Sequence, residues 1–134
     1  MWRRFLGAAA VVLLLGTAFM ALPAQAQNGV PWTGQYYNNP TLSDPVALHR
    51  TDNTIAFNWG LGSPDACVDS DFFSVRWAQD VQLQAGTYRF FALADDNIRV
   101  TFNFHQTLID TFATGQVGQL MTADVNVPAS GLYH

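Results

Sequence analysis

Asp95, Asp96 and Asn97 are the side chains best suited to hold a cation or a hydroxyl-rich ligand. Neighbouring side chains on a strand point to opposite faces. A cis peptide between Asp95 and Asp96 would bring both carboxylates to one side, at about 2.5–4 kcal/mol for a non-proline bond. The plainer reading is a polar turn between two strands. Aromatic residues form a second set. Trp32, Tyr36, Tyr37, Trp59 and Trp77 could stack on the apolar C–H faces of a sugar, with Asn and Asp taking its hydroxyls. Trp59 and Trp77 sit within strand patterns, where core packing is the ordinary role. Tyr36 and Tyr37 are adjacent, so alternation sends one of them outward. Tyr36 therefore joins Asp95, Asp96 and Asn97 as a candidate ligand-binding residue.

Catalytic chemistry finds little support. A glycosidase needs two carboxyls about 5–9.5 Å apart across a scissile bond. Asp95 and Asp110 could be arranged so, but ten acids in a small chain make such a pair nearly unavoidable. His49, His105 and His134 lack metal-ligand spacing, and neither H-E-x-x-H nor G-x-S-x-G occurs. Cys67 is the single cysteine. It is read either as a lone thiol or as half of a bridge to a partner outside this sequence. The expectation is a protein that is not an enzyme.

The elements that must position these residues are short strands. Tyr88, Phe90 and Ala92 share one face of a strand, with Arg89 and Phe91 on the other. Ile98, Val100, Phe102 and Phe104 alternate with Arg99, Thr101 and Asn103. Leu108, Ile109 and Phe112 mark a further strand after a turn at His105-Gln106. Val125 and Val127 mark another, closed by Pro128-Ala129-Ser130-Gly131. Ser74 to Trp77 alternates, and Val81 and Leu83 continue the theme. Gly60 to Asp71 reads as an irregular loop that carries Cys67 and three acids. Short strands between Gly, Pro and Asp turns predict an all-β fold, an antiparallel β-sandwich or barrel.

The first 26 residues read as a signal peptide. Arg3 and Arg4 precede an uncharged apolar run from Phe5 to Met20, and Ala24-Gln25-Ala26 has the small-x-small form that signal peptidase accepts. The mature domain is then 27–134, outside the cytoplasm and not membrane-bound. Without Arg3 and Arg4, four arginines face ten aspartates, a net charge of about −6. Such a chain cannot build the basic face that nucleic acid requires.

Read in order, several segments resemble one family. They are Trp32-Thr33-Gly34-Gln35-Tyr36-Tyr37, Arg50 to Gly60, Asp71-Phe72-Phe73-Ser74-Val75-Arg76-Trp77, Gly86-Thr87-Tyr88-Arg89-Phe90, Ala94-Asp95-Asp96-Asn97-Ile98-Arg99-Val100 and Thr107-Leu108-Ile109-Asp110. Together they resemble the protective-antigen, or PA-fourteen, domain over residues 32–134. The resemblance implies a β-sandwich or barrel and carbohydrate recognition in many members. It also implies a calcium held by Asp95 and Asp96 across a cis peptide, bridging to sugar hydroxyls. Calcium takes 6–8 oxygens, so two carboxylates would be an incomplete set. The polar turn, the calcium site and metal-free sugar contact all remain open for this triplet.

Two departures from the family pattern stand out. Asn97 occupies the place of a glycine, and Asn103-Phe104-His105-Gln106 replaces a tight Asp-Gly hairpin. The pattern's closing strands also lie beyond His134. Gly131-Leu132-Tyr133-His134 repeats the form of Gly86-Thr87-Tyr88-Arg89, where a turn launches a strand. The expectation is a domain incomplete at its C-terminus, with Phe102 and Phe104 uncovered. The expected function is a secreted or cell-surface, non-catalytic carbohydrate-binding or adhesion module. Its partner would be a glycan or cell-surface polysaccharide, and its setting a larger multidomain protein. The alternative is a structural or protein-interaction β domain with no sugar ligand.

Overall fold

The computed structural model describes residues 9–15 and 30–134. Most of the signal-peptide region therefore lies outside the described residues. The fold is all-β, built from antiparallel sheets of the β-sandwich type, as the alternation predicts. Among the described residues, no helix is long and apolar enough to cross a membrane.

One three-stranded sheet has the order β3-β2-β4, with β2 (Trp32–Tyr37) central between β3 (Leu48–Asp52) and β4 (Ser74–Ala78). Another has the order β1-β6-β9, formed by β1 (Ala9–Leu15), β6 (Gly86–Ala94) and β9 (Met121–Val127). Two hairpin-sized sheets complete the layers. β5 (Val81–Leu83) pairs with β10 (Gly131–Tyr133), and β7 (Arg99–Phe102) pairs with β8 (Gln106–Asp110).

β6 shows why the sequence folds this way. Tyr88, Ala92 and Ala94 are buried while Arg89 and Leu93 are exposed, so period-two alternation becomes an inner and an outer face. β9 lies antiparallel to it in unbroken register from Gly86↔Val127 to Ala92↔Met121. Val125 and Val127 turn inward. The core cluster is Leu83, Tyr88, Phe102, Val125 and Val127, with Val81, Phe90, Leu108 and Tyr133 packed on it. It thus draws on six strands, β5 to β10. Burial of a large apolar side chain contributes about 1.5–3 kcal/mol, so this cluster holds the sheets together.

The structure corrects three sequence expectations here. Tyr36 and Tyr37 are both buried, at 0% and 3% exposure, so neither faces out. β2 is the central strand of its sheet, between β3 and β4, and the end of the strand breaks the alternation. Phe104 leaves the strand pattern of Val100 and Phe102. Asn103 and Phe104 both take left-handed backbone, φ 50 and φ 69, in the β7–β8 turn. Tight hairpins favour that handedness because it matches strand twist. The Phe104 ring stands 73% exposed and stacks on His134 at 4.1 Å. Phe112, expected in a strand, lies in the short helix α1 (Thr111–Thr114) and is 60% exposed. Asp110 caps that helix by accepting the Phe112 N–H, and Gly115 ends it in left-handed backbone.

Phe102, expected to be uncovered, is only 6% exposed. Tyr133 stacks on it at 5.3 Å. The Gly131 turn does launch a strand, which pairs with β5.

Candidate functional site

The site expected from sequence lies in the bend between β6 and β7. β6 ends at Ala94, whose carbonyl accepts the Gly118 N–H at 2.6 Å. The chain then bends through Asp95 and Asp96 and enters β7 at Arg99. A single threonine fixes the far side of this bend. Thr111 is 1% exposed. Its hydroxyl accepts the Ile98 N–H at 2.8 Å and lies 3.3 Å from both Asn97 Oδ1 and the Ile98 carbonyl, to which it donates. The Thr111 N–H donates to the same carbonyl at 3.0 Å. The bend is therefore clamped between the β8–α1 junction and the loop around Gly118.

Asp95 is exposed and Asp96 half-buried. Burial pushes the Asp96 carboxyl above the usual carboxylate range, and the Asp95 charge adds to the effect. Two like charges held close, one of them partly desolvated, favour any ligand that brings positive charge or hydrogen-bond donors. The peptide between them is trans, because the one cis bond among the described residues is Asp44–Pro45. The cis bond expected between them is thus absent. Among the described residues no three His, Cys, Asp or Glu side chains gather to hold a metal. Asn97 spends its side-chain carbonyl on Thr111.

Asp110, considered with Asp95 as an acid pair, is engaged on both oxygens. Oδ1 accepts the Phe112 N–H at 3.0 Å, and Oδ2 pairs with Arg99 at 2.9 Å. Exposed apolar side chains flank the bend in sequence or through these contacts. They are Leu93 at 44%, Phe112 at 60% and Val117 at 42% exposure. The Arg99 guanidinium lies over the Phe112 ring at 5.5 Å.

Tyr36 does not belong to this site. It sits in a buried polar cluster that spans β2, β3 and β4. Asp52 Oδ2 accepts the Tyr36 hydroxyl at 2.6 Å and the Trp77 indole N–H at 2.7 Å. Asp52 Oδ1 accepts Arg50 Nε at 2.6 Å. Arg50 also donates to the Tyr36 hydroxyl and to the Pro64 carbonyl, and lies 4.4 Å over the Tyr36 ring. Burial alone would raise the Asp52 carboxyl, but the bonds from Tyr36, Trp77 and Arg50 outweigh it and hold the carboxyl below its usual range. Burial and the Asp52 contact push the Tyr36 phenol well above its usual range. Trp59 and Trp77 are likewise committed to packing: both lie parallel to Phe57, at 5.0 and 5.7 Å.

Sequence reasoning missed this cluster. Its signal is the Arg50-x-Asp52 spacing, which places both side chains on one face of a strand. Cys67 is a free, exposed thiol in the irregular loop.

The described residues form an all-β antiparallel scaffold that carries acids in the bend between β6 and β7. The chain belongs to the PA14 domain family, whose model matches residues 26–130. That family is one of carbohydrate-binding and adhesion-type modules, typically extracellular and found in multidomain proteins. A stretch of 68 residues is 40% identical to the anti-sigma-I factor RsgI3 of Acetivibrio thermocellus, covering 50% of this chain and 10% of that protein. The chain thus spans about a tenth of the curated relative it matches. No solved structure matches the chain significantly.

Proposed function

We propose that this chain is a secreted, non-catalytic module that recognises a glycan at the Asp95–Asp96 bend. The observation that carries the reading is the clamped acidic bend with Asp96 half-buried beside Asp95; exposed Leu93, Phe112 and Val117 lie near it along the chain or through its clamp. Ordered carboxylates accept sugar hydroxyls without paying the entropy of ordering at binding. Apolar neighbours cover the ring's C–H face. Membership of the PA14 family supports the same direction. The leader-like segment through Ala26 supports export with cleavage there.

Calcium is the cation this reading favours. Asp95 and Asp96 would hold it, and it would supply positive charge that relieves their repulsion. The rest of its 6–8 oxygens would come from water and sugar hydroxyls. The engaged state of Asp110 supports a module without catalysis, since neither of its oxygens is spare.

The test is calorimetric titration of the folded chain with a panel of polysaccharides, with calcium and with chelator. Saturable heat with at least one polysaccharide, and no release of reducing ends, is expected. Reducing-end release would overturn the non-catalytic reading. No binding by a folded chain would favour a structural β domain instead.

A further inference from the structure

The β3-β2-β4 sheet has two faces of different character. One carries Gly34, Tyr36, Asp52 and Trp77, the polar cluster described above. Alternation puts Thr33, Gln35, His49, Thr51 and Arg76 on the other face. Register sets three of these in one row across the sheet. Gln35 of β2 stands opposite His49 of β3 on one side and Arg76 of β4 on the other. Neighbouring Cβ atoms in such a row are about 4.5–5.5 Å apart. Thr33 and Thr51 are both exposed and stand opposite each other two residues further on.

Each member of the row has side-chain N–H groups with no acceptor among the described residues. His49 and Arg76 are exposed and Gln35 is half-buried. The Tyr37 hydroxyl donates to Gln35 Oε1 at 3.2 Å, so the amide keeps its nitrogen end for another group. The other described arginines are each bound to an aspartate: Arg50 to Asp52, Arg89 to Asp124 and Arg99 to Asp110. Arg76 is not, in a chain with ten aspartates. The reason is its position. Asp52 is the only acid within β2, β3 and β4, and it belongs to the opposite face. Asp44, Asp71 and Asp80 lie in connecting segments, and Asp80 is bonded to His134.

From this acid-free row of donors we infer a second binding site, for the carboxylate of a uronate-bearing polysaccharide. The Arg76 guanidinium takes the carboxylate in a forked pair. The Gln35 amide and an imidazole N–H of His49 donate to the same group or to the oxygens beside it. Thr33 and Thr51 exchange hydrogen bonds with ring hydroxyls. An acidic peptide would bring the carboxylate without those hydroxyls. One arginine and one histidine match one carboxylate at a time, whereas a nucleic acid presents a ladder of phosphates. The distant aspartates oppose such a ligand little, because charges more than about 8–10 Å away are screened at ordinary salt. The site uses no residue of the Asp95–Asp96 bend and stands or falls independently of it.

The test is affinity electrophoresis of the full chain in gels holding polygalacturonate, with chelator present so that calcium cannot bridge acid to acid. The unaltered chain is expected to be retarded, and the fully methyl-esterified polymer, which hides the carboxylates, is expected not to retard it. Arg76→Gln is expected to weaken the apparent affinity at least about fivefold. Arg76→Lys is expected to weaken it less, since the ammonium keeps the charge and loses the fork. Asp95→Asn/Asp96→Asn is expected to be retarded at least as strongly as the unaltered chain; loss of retardation there alone would move the carboxylate site to the bend and overturn the inference. Equal retardation of Arg76→Gln, with near-ultraviolet dichroism showing an intact core, would also overturn it. So would equal retardation by the methyl ester, or none of the folded unaltered chain. Retardation by polyaspartate as strong as by polygalacturonate would assign the row to acidic peptides instead.

Discussion

The Asp52 carboxylate of β3 reaches diagonally against Gly34 of β2, leaving no space for a methyl group between them. A Cβ on Gly34 would stand 2.9 Å from Asp52 Oδ2, 2.9 Å from the Tyr36 ring and 3.2 Å from the Arg50 backbone carbonyl. Part of that environment is backbone and the rest is a hydrogen-bonded cluster, so the site has little room to yield. Gly34→Ala is therefore expected to destabilise the domain by about 1–3 kcal/mol through overpacking. Urea unfolding followed by tryptophan fluorescence measures it, and an unchanged midpoint would contradict the packing described for Asp52.

The same cluster sets acid sensitivity. Asp52 has a folded-state pKa below its ordinary value of 3.8. Its contribution is fully present above the unfolded pKa and is lost as pH falls through the folded one. The loss therefore lies on the acid side of about pH 4. Asp52→Asn is expected to lower stability by about 2 kcal/mol at neutral pH and to flatten the acid limb of the stability profile. Denaturant melts from pH 2 to 7 on both proteins check the window.

Asp96 has the opposite sign. Its folded-state pKa is raised, first by burial and then by the Asp95 charge. The folded protein thus carries a penalty that grows as pH rises through the unfolded value and is absent well below it. Asp96→Asn is expected to raise stability by about half a kcal/mol at pH 7, a figure already discounted for solvent screening. The gain should vanish near pH 3. Melts of the variant at the two pH values decide this.

Thr111 is the clamp of the bend. Thr111→Val keeps the shape but leaves the Ile98 N–H without its partner, at about 1–3 kcal/mol. Hydrogen exchange at the Ile98 amide is expected to accelerate at least about tenfold as the bend opens locally. Glycan binding should weaken in step, because the carboxylates lose their fixed placement.

The sequence made some of this legible and hid the rest for physical reasons. Tyr88, Phe90 and Ala92 could be assigned to one face because β6 is half-buried and its alternation is clean. Phe102 fitted the same logic, but Phe104 did not, because two left-handed residues end the strand early. The Asp95–Asp96–Asn97 bend was legible as a break in pattern. Its clamp was not, since Thr111 reaches it from fourteen residues beyond Asn97. Tyr36 was misplaced because alternation alone cannot reveal that Asp52 and Arg50 converge on its hydroxyl from β3, with Trp77 of β4 bonded to the same Asp52 oxygen. The pairing of residues 9–15 with β6 was hidden for a related reason, because an apolar run carries no mark of its partner strand.

Recognition at the acidic bend is tested most directly on a glycan array. The unaltered chain would be compared with Asp95→Asn/Asp96→Asn, both verified as folded by near-ultraviolet dichroism. The unaltered chain should bind a defined set of glycans, and the double variant should lose that binding by at least about tenfold. Equal binding by the two proteins, or none by the folded unaltered chain, would contradict the placement of a glycan at Asp95 and Asp96.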